Sequence, residues 1–317
     1  MFERPDAGTT GPEPPAPAPA SAGTSGPGRL AVVLSTGGVG GIAHLGALSR
    51  LLEAGIRIDM LVGASAGALV ASYFAALGDP LAVLIEDAAR TSLGRLLAFA
   101  LHLRHLPVPA GETREHCRRL EARLLELDGV VFDALRGPAR ALGVLAFDWR
   151  GLRAFHACTG SPSTGSMSVG RVVRGSASIP FVFPPVRVAH DGRSRFLSDG
   201  GLVRSLPLEW AFEPPLSATH ALGVQLPTLR RRLDGLLPAR RRFLRENGGR
   251  IVVVEPRIRL GRNVFRGRAG LEEILQSGRE ALDERTIAVL RRWQEEPPAR
   301  AGESGPAGRL PARHASV

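Results

Sequence analysis

The sequence contains no lysine, and its only cysteines are Cys117 and Cys158. Two thiols in a chain of 317 residues argue against a disulfide framework and against a zinc site. No run of about twenty apolar residues occurs, so no segment is expected to cross a membrane as a helix. Aromatic residues make up only 5% of the chain, and no basic stretch is interleaved with them. Single-stranded nucleic acids are usually bound by such interleaved surfaces, so no nucleic acid is expected as a partner.

The two ends of the chain have few large apolar side chains. Residues 1–28 are mostly Pro, Ala, Gly, Ser and Thr, and residues 297–317 are rich in Pro, Gly, Ala and Arg. Such segments cannot bury enough apolar surface to fold, so both are predicted to be disordered. The first segment also lacks the unbroken apolar run of a secretory signal. Residues 29–296 are therefore predicted to form one domain of a cytoplasmic protein.

Every basic side chain apart from histidine is an arginine, and 41 arginines against 30 acidic residues give a formal net charge of +11. The arginine fork holds a phosphate through two hydrogen bonds, which suits an anionic membrane surface or a phospholipid headgroup. GC-rich coding would produce the same composition without any such partner. The charge alone therefore does not identify a ligand.

Three segments are candidates for peripheral contact with an anionic membrane. Arg230–Arg232 and Arg240–Arg242 flank three leucines, and Leu93–Leu106 mixes leucines with basic residues. A basic amphipathic helix lies on such a membrane with its arginines toward lipid phosphate. A solvated basic face explains the two arginine runs equally simply, and both interpretations stay open.

Strands and helices alternate in the first third of the foldable part. Apolar runs predict strands at 30–34 and 58–62, and apolar residues at helical spacing predict helices at 42–54 and 66–77. Short connections between them indicate parallel strands covered by helices. Residues 81–140 are predicted to be mainly helical. Further strands are predicted at 141–147, around Phe155, and at 196–198, 220–226 and 251–254, and a closing helix is predicted at 271–293.

The sharpest chemical signal is Gly63-Ala64-Ser65-Ala66-Gly67, which lies between a predicted strand and a predicted helix. A G-x-S-x-G in this position is typical of a nucleophile elbow, in which a strained turn presents the serine hydroxyl. Glycines on both sides allow the close packing that such a turn needs. The start of the following helix favours negative charge that develops beside the serine. A turn of small residues without chemistry is the simpler explanation of the pattern taken alone.

The second signal is a glycine block, Thr36-Gly37-Gly38-Val39-Gly40-Gly41, also between a strand and a helix. Its glycines let main-chain N–H groups approach a ligand, as an oxyanion hole requires. The same block fits the dinucleotide pattern G-x-G-x-x-A, with Asp59 about twenty residues further on as the ribose-binding acid. However, Asp59 precedes the strand that it should follow, which makes an oxidoreductase a remote alternative.

The third signal is Asp199-Gly200-Gly201, which follows a predicted strand. An aspartate at a strand end can serve as a base or as an orienting group. An ordinary Asp-Gly turn explains the same residues.

Together these blocks resemble the patatin-like phospholipase family. Residues 59–69 resemble that family's elbow, residues 176–186 resemble its stretch before the catalytic aspartate, and residues 199–203 resemble its D-G-G block. The resemblance spans residues 30–208, which leaves the strands and helix of 209–296 to complete the domain. It implies a three-layer α/β/α fold with a mainly parallel central sheet. It also implies a lipid ester as substrate, with no metal and no organic cofactor.

The resemblance also implies roles for individual residues. Ser65 would be the nucleophile, Asp199 would accept its proton, and the N–H groups of Gly37 and Gly38 would form the oxyanion hole. The remaining block residues would support this arrangement: Thr36, Gly40, Gly41, Gly63, Gly67, Gly200 and Gly201.

Two departures from the family pattern motivate an alternative function. The glycine block usually begins with Gly and has Arg or Lys in its fifth place, where this chain has Thr36 and Gly40. The asparagine that commonly follows the D-G-G block is absent, and Ser205 and Leu206 stand in that area. A non-catalytic lipid- or membrane-binding protein of the same fold is therefore the alternative.

Two histidines bear on the mechanism. His220 follows Asp199 in the chain order of an α/β-hydrolase triad, which leaves a Ser65–Asp199–His220 triad as a rival to the dyad. His44, beside the glycine block, is expected to be a packed helix residue rather than a base.

Overall fold

The computed structural model describes residues 29–90, 93–259 and 267–295. The segments predicted to be disordered, 1–28 and 297–317, lie outside these residues. Within the described ranges, one eight-stranded sheet has the strand order β5-β6-β3-β2-β1-β7-β8, and β4 pairs with β3. The strands are β1 (Leu30–Leu34), β2 (Met60–Ala64), β3 (Ala141–Asp148), β4 (Arg153–Cys158), β5 (Val186–His190), β6 (Arg193–Ser198), β7 (His220–Val224) and β8 (Ile251–Val254).

The central strands are parallel, and the strands on one side are antiparallel. β1 lies between β2 and β7, with Leu34 opposite both Gly63 and Val224. β3 continues the parallel set beside β2, and β8 continues it beside β7. β4 pairs with β3, β6 pairs with β3 and β5 pairs with β6, all antiparallel. The carboxyl ends of the parallel strands therefore meet at one edge of the sheet, where ligands bind in open α/β sheets.

Helices cover both faces of this sheet. They are α1 (Ile42–Glu53), α2 (Ala66–Ser72), α3 (Leu81–Ala89), α4 (Leu93–Leu103), α5 (Glu112–Asp128), α6 (Val169–Ser176), α7 (Leu208–Ala211), α8 (Leu229–Leu236), α9 (Pro238–Glu246), α10 (Gly267–Glu280) and α11 (Glu284–Glu295). A π-helical turn at Tyr73–Leu77 continues α2.

The two cores confirm the predicted three-layer α/β/α fold. Leu30, Val32 and Leu34 of β1 belong to the larger core, together with buried residues of α1, α2, α6 and α11. Ala31 and Val33 face the opposite core, which α7 and α9 cover. Successive strand residues point to opposite faces, so a strand buried on both sides is apolar throughout. That is why β1 appears in the sequence as an unbroken apolar run.

Three predicted segments differ from the structure. The closing helix predicted at 271–293 is observed as two helices, α10 and α11. Asp283 caps the start of α11, because its side chain accepts a hydrogen bond from the N–H of Thr286 (2.9 Å). The predicted helical segment 81–140 ends at Asp128, and residues 129–140 form turns up to β3. The strand predicted at 58–62 is shifted to Met60–Ala64.

The two arginine runs do not form a uniform basic face. Arg240 is buried and donates to the carbonyl of Leu206 (3.0 Å) and to Glu209 (3.2 Å). Arg231 pairs with Glu255. Arg242 pairs with Glu246 at 2.7 Å. The side chains of Arg230 and Arg232 lie outside the described set. An arginine that is paired with a carboxylate of the same protein is a poor ligand for lipid phosphate. These ion pairs therefore make the two arginine runs weaker candidates for membrane contact.

Candidate active site

Ser65 occupies the turn between the carboxyl end of β2 and the start of α2. Its backbone angles are φ 54° and ψ −123°, a left-handed conformation that residues other than glycine rarely adopt. The N–H of Ser65 donates to Ser176 Oγ at 2.9 Å, and Ser176 Oγ donates to the carbonyl of Leu145 at 2.6 Å. These bonds hold the strained turn against α6 and β3. The side chain of Ser65 is buried, with 4% of its surface exposed.

The glycines on either side of Ser65 are required by close backbone packing. A Cβ on Gly67 would lie 2.3 Å from the carbonyl oxygen of Leu34, at the end of β1. A Cβ on Gly63 would lie 2.5 Å from the carbonyl of Gly67. The first turn of α2 therefore rests directly on the main chain of the sheet.

Asp199 follows β6 and meets Ser65 across the sheet edge. Ser65 Oγ donates to Asp199 Oδ2 at 2.6 Å, and the N–H of Gly201 donates to Asp199 Oδ1 at 2.7 Å. A Cβ on Gly200 would lie 2.2 Å from the carbonyl of Leu145, so glycine is needed for the approach to β3. Both oxygens of this carboxylate are thereby fixed in place.

Burial raises the pKa of Asp199, and the hydrogen bonds from Ser65 and Gly201 oppose this shift in part. Only 7% of the residue surface is exposed. A carboxylate that is poorly solvated has a stronger tendency to take a proton than one in water. The geometry thus places a carboxylate whose pKa is raised within hydrogen-bond distance of a serine hydroxyl.

The glycine block forms a short 3₁₀ helix, Gly38–Gly41, beside the elbow. Gly38 is exposed and has φ 52°, and a Cβ on Gly41 would lie 2.7 Å from the Cβ of Ala66. The N–H of Gly40 donates to the carbonyl of Gly37 at 3.0 Å. The first N–H groups of a helix have no carbonyl partner within it, and in this turn those groups belong to Gly38 and Val39.

The two departures in the family pattern lie in well-packed positions. Thr36 is buried, and its N–H donates to the carbonyl of Ser205 at 2.9 Å. Ser205 in turn accepts from Gln225 Nε2 at 2.8 Å, and its N–H donates to Asp234 at 2.6 Å. This buried network ties the glycine block to the segment after Gly201 and to α8. Gly40 is buried within the 3₁₀ turn.

A cavity of about 660 Å³ opens beside Ser65 and Gly38. One face of α2 lines it, because Ala66, Leu69, Val70 and Tyr73 recur at helical spacing. Helices α3, α4 and α5 supply the facing wall. The other apolar lining residues include Ile42, Leu45, Leu84, Leu96, Phe99, Leu103, Leu120, Leu124, Ile179 and Phe183. The site is therefore a serine, hydrogen-bonded to a buried carboxylate, that lines a mainly apolar cavity.

The cavity becomes polar where it reaches Tyr73. The Arg123 guanidinium lies over the Tyr73 ring, 5.2 Å from its centroid. Arg123 also pairs with Asp79 and lies 3.5 Å from Asp87. Burial raises the pKa of Tyr73, so its phenol stays neutral. Tyr73 begins the π-helical turn, a feature that often marks functional positions.

The structure separates the residues of the alternative mechanisms from Ser65. His220 begins β7 opposite Leu30, whereas Gly63 lies opposite Leu34, so about 13 Å of strand separates the two levels. His220 stacks on Trp293, 4.7 Å between ring centroids. The triad interpretation fails on this geometry.

His44 and Asp59 have other partners. His44 is fully buried and its Nε2 lies 2.8 Å from the carbonyl of Ser35, while burial lowers its pKa to about 4. Asp59 accepts from the N–H of Leu30 at 2.9 Å and from Arg57 at 2.8 Å, at the amino end of the sheet. A ribose-binding acid would lie at the carboxyl end, so the dinucleotide interpretation is wrong.

No pattern in the sequence predicted a role for Ser176, Tyr73 or Arg123. Ser176 begins the block 176–186 that resembles the family, and this was the one signal that could have drawn attention to it. The polar end of the cavity has no sequence signal, because Tyr73 and Arg123 are far apart in the chain. In the described part of the chain, no group of three or more His, Cys, Asp or Glu side chains could hold a metal ion.

The fold and the site place the chain among α/β proteins that carry a serine on a strand-to-helix turn beside a buried aspartate. The chain belongs to the patatin-like phospholipase family, whose model matches residues 32–212. This match includes Ser65, Asp199 and the glycine block.

Curated relatives match a similar share of the chain. YqhO of Bacillus subtilis is 30% identical over 204 residues, covering 57% of this chain and 65% of that protein. The NTE family protein Rv2565 of Mycobacterium tuberculosis is 30% identical over 188 residues, covering 56% of this chain and 27% of that protein. The chain thus spans less than two thirds of either relative.

Among solved structures, VipD from Legionella pneumophila is similar with a TM-score of 0.45 and 14% identity, covering 84% of this chain and 67% of that one. The type III effector ExoU has a TM-score of 0.44 and 19% identity, covering 85% of this chain and 54% of that one. Likenesses at these scores carry no inference about activity.

Proposed function

We propose that this protein is a serine acyl hydrolase that cleaves carboxylic ester bonds of lipids through an acyl-enzyme. The observation that carries the proposal is the 2.6 Å hydrogen bond from Ser65 Oγ to Asp199 beside a large, mainly apolar cavity that Ser65 lines. Membership of the patatin-like phospholipase family supports a lipid substrate. The phospholipase A, lysophospholipase and simple esterase types all use this chemistry.

The first half of the reaction forms an ester between Ser65 and the acyl group. As Ser65 Oγ attacks the carbonyl carbon, Asp199 accepts the hydroxyl proton, and the alcohol oxygen of the substrate leaves with that proton. Water then attacks the acyl-enzyme while Asp199 takes one of its protons. Ser65 regains a proton as the fatty acid is released. General-base assistance of this kind contributes about 10²–10⁴ in rate.

The glycine block supplies the oxyanion hole in this proposal. The exposed Gly38 shares the cavity wall with Ser65. Gly37 is not among the residues that line the cavity, so its N–H is the less direct donor of the two assigned to the oxyanion. The start of α2 adds a favourable dipole at the same point. Loss of one oxyanion donor typically costs about 10²–10³ in kcat.

The test of this proposal is hydrolysis of p-nitrophenyl butyrate together with labelling by a fluorophosphonate that reacts with activated serines. Wild type should turn over and be labelled on Ser65. Ser65→Ala should lose at least about 10³-fold in kcat and should not be labelled. Ser49→Ala is the matched control, because Ser49 lies on α1 and only donates to the carbonyl of Leu45 (2.9 Å).

The outcomes separate the proposal from its alternative. Activity that survives in Ser65→Ala would contradict the assignment of the nucleophile. Wild type that neither hydrolyses esters nor reacts with the label, yet binds lipid, would favour the non-catalytic lipid-binding protein. In that case Thr36 and Gly40 are the first residues to replace with those of the family pattern, glycine at 36 and arginine or lysine at 40.

The wall that α2 and its π-helical turn give the cavity predicts a preference for medium acyl chains. Tyr73 is eight residues beyond Ser65, which corresponds to about 12 Å of helix, or roughly a ten-carbon chain. Beyond that point a methylene chain meets Arg123 and Asp87, which are unfavourable neighbours for apolar groups.

Leu69→Trp is expected to shorten this cavity, because Leu69 lines it about 6 Å along α2 from Ser65. The variant should lose about 10- to 100-fold in kcat/KM on decanoate esters while acetate esters change little. Leu52→Trp is the control, since Leu52 is 44% exposed on α1 and does not line the cavity. An equal loss on both esters would contradict the assigned chain path.

A further inference from the structure

Helix α4 presents apolar side chains on two different faces. Leu96, Phe99 and Leu103 line the cavity beside Ser65. Leu97 and Leu101, one helical turn apart, are 50% and 41% exposed on the outer face. A helix that is apolar on both sides is typical of a position between a protein core and a second apolar environment.

The loop that follows α6 carries an unusually exposed aromatic side chain. Phe181 is 97% exposed, and its φ of 68° lies in the left-handed region, which bulky residues rarely adopt. Its neighbour Phe183 packs inward against Phe99, with ring centroids 6.4 Å apart. The loop is therefore anchored through one phenylalanine while it holds the other away from the protein.

Arg104 joins the outer face of α4 to this loop. Arg104 Nη2 donates to the carbonyl of Phe181 at 2.8 Å. Leu97 and Leu101 lie at i and i+4 on one face of α4, and Arg104 lies in the turn that ends this helix, where its N–H donates to the carbonyl of Leu101 at 3.0 Å. Leu97, Leu101, Arg104 and Phe181 thus form one exposed surface, which we call the cap face.

The cavity opens beside the cap face. Ile179, in the same loop as Phe181, is 40% exposed and also lines the cavity. Arg187 is exposed at the same rim, and its Nε donates to Ser194 Oγ at 2.9 Å. A surface of apolar side chains with arginines at its rim matches the layered chemistry of a bilayer, in which acyl chains lie beneath phosphates.

We infer that the cap face docks on an anionic phospholipid bilayer, with Phe181 and the outer leucines of α4 inserted at the interface. The choice of a bilayer as occupant rests on the proposed function, because a lipid substrate would leave the bilayer where the cavity opens. The net charge of +11 favours an anionic surface over a neutral one. None of the four residues of this face belongs to Arg230–Arg232 or Arg240–Arg242.

The experiment measures binding of the full chain to vesicles by flotation, in a Ser65→Ala background so that the lipid is not consumed. Vesicles of phosphatidylcholine alone are compared with vesicles that also contain phosphatidylglycerol. Phe181→Ser, and Leu97→Ser combined with Leu101→Ser, should each lower the partition coefficient by about 10- to 100-fold. Arg104→Gln should lower it about fivefold, and only on the anionic vesicles.

Two control variants are matched to these leucines. Leu52→Ser removes an equally exposed leucine (44%) from the far end of α1, at the amino edge of the sheet, and should bind as the parent does. Leu236→Ser removes a leucine that is 65% exposed on α8. A large loss in Leu236→Ser but not in Phe181→Ser would overturn the inference in favour of the arginine-rich helices.

Two further results would contradict docking of the cap face on a bilayer. Absence of vesicle binding by the parent would overturn the inference. So would concentration-dependent self-association of the parent that Phe181→Ser abolishes, because a second copy would then cover the face.

Hydrolysis of water-soluble p-nitrophenyl butyrate keeps this inference apart from the proposed function. In the Ser65-containing protein, Phe181→Ser should retain that activity while it loses activity on vesicle lipid. Vesicle binding without any ester hydrolysis in wild type would contradict the enzyme and support the docking surface. Ester hydrolysis without vesicle binding would support the enzyme and contradict the docking surface.

Discussion

Asp199→Asn is expected to lower kcat/KM for ester hydrolysis by about 10²–10⁴-fold and to raise the midpoint of thermal unfolding at neutral pH. The amide has nearly the same volume. Its oxygen can accept from the N–H of Gly201 while its NH₂ group donates to Ser65 Oγ, so the elbow should keep its place. The amide cannot take a proton from that hydroxyl at neutral pH. The loss of activity therefore reports the missing proton acceptor and not a loss of folded protein.

The gain in stability follows from the direction of the pKa shift. Burial is the largest cause that raises the pKa of Asp199 in the folded protein. In the pH range between the ordinary aspartate pKa and this raised pKa, the folded state binds more protons than the unfolded state. Wild-type stability therefore falls as pH rises through that range, and a neutral amide avoids the loss. The advantage of Asp199→Asn should vanish below about pH 4, where both states are protonated.

The same shift sets the pH dependence of activity. Asp199 can accept a proton only in its ionised form, so kcat/KM should fall as pH decreases through the raised pKa. The acid limb of the profile should accordingly lie above the range of an ordinary aspartate.

Asp148→Asn is a matched control with the opposite expected sign. Asp148 is 1% exposed, and its Oδ2 lies 3.2 Å from Arg195 Nη1. Removal of this charge leaves a nearly buried guanidinium without its carboxylate, which should lower the unfolding midpoint while the assigned catalytic groups stay in place. A lower midpoint in Asp199→Asn as well would contradict the assignment of an unfavourable buried charge at Asp199. Full activity in Asp199→Asn would contradict the dyad.

The local part of the site could be predicted from the sequence because its signals are short-range. The apolar run Leu30–Leu34 followed by glycines predicts a strand and a turn, and the G-x-S-x-G block predicts the strand, elbow and helix around Ser65. Both patterns correspond to observed elements. The catalytic roles of these residues stay predictions until activity is measured.

The long-range part could not be predicted from spacing. Ser65 and Asp199 are 134 residues apart, and only the family resemblance indicated that they would meet. Arg240 looked like part of a basic surface because its carboxylate partner, Glu209, is 31 residues away in α7. The cavity depends on how α3, α4 and α5 pack around one face of α2, which helix propensity does not specify. Tertiary contacts decided each of these features.

Gly67→Ala is expected to destabilise the protein by about 3 kcal/mol or more, which is a large part of a typical domain's margin of about 5–15 kcal/mol. The added Cβ would lie 2.3 Å from the carbonyl oxygen of Leu34, 2.6 Å from its carbonyl carbon and 2.7 Å from the carbonyl oxygen of Ser35. All three atoms belong to the main chain at the end of β1, which lies between β2 and β7. Since no side chain can rotate away, either α2 or the central strand must shift.

Gly235→Ala provides the matched control, because no atom lies within 4 Å of the position of its Cβ in α8. Alanine in a helix should be about 0.5–1 kcal/mol more stable than glycine there. Urea unfolding of the two variants beside wild type is the measurement. Failure of Gly67→Ala to accumulate as folded protein, with Gly235→Ala well behaved, agrees with the expectation. A Gly67→Ala protein within about 1 kcal/mol of wild type would contradict the contact between α2 and β1 that positions Ser65.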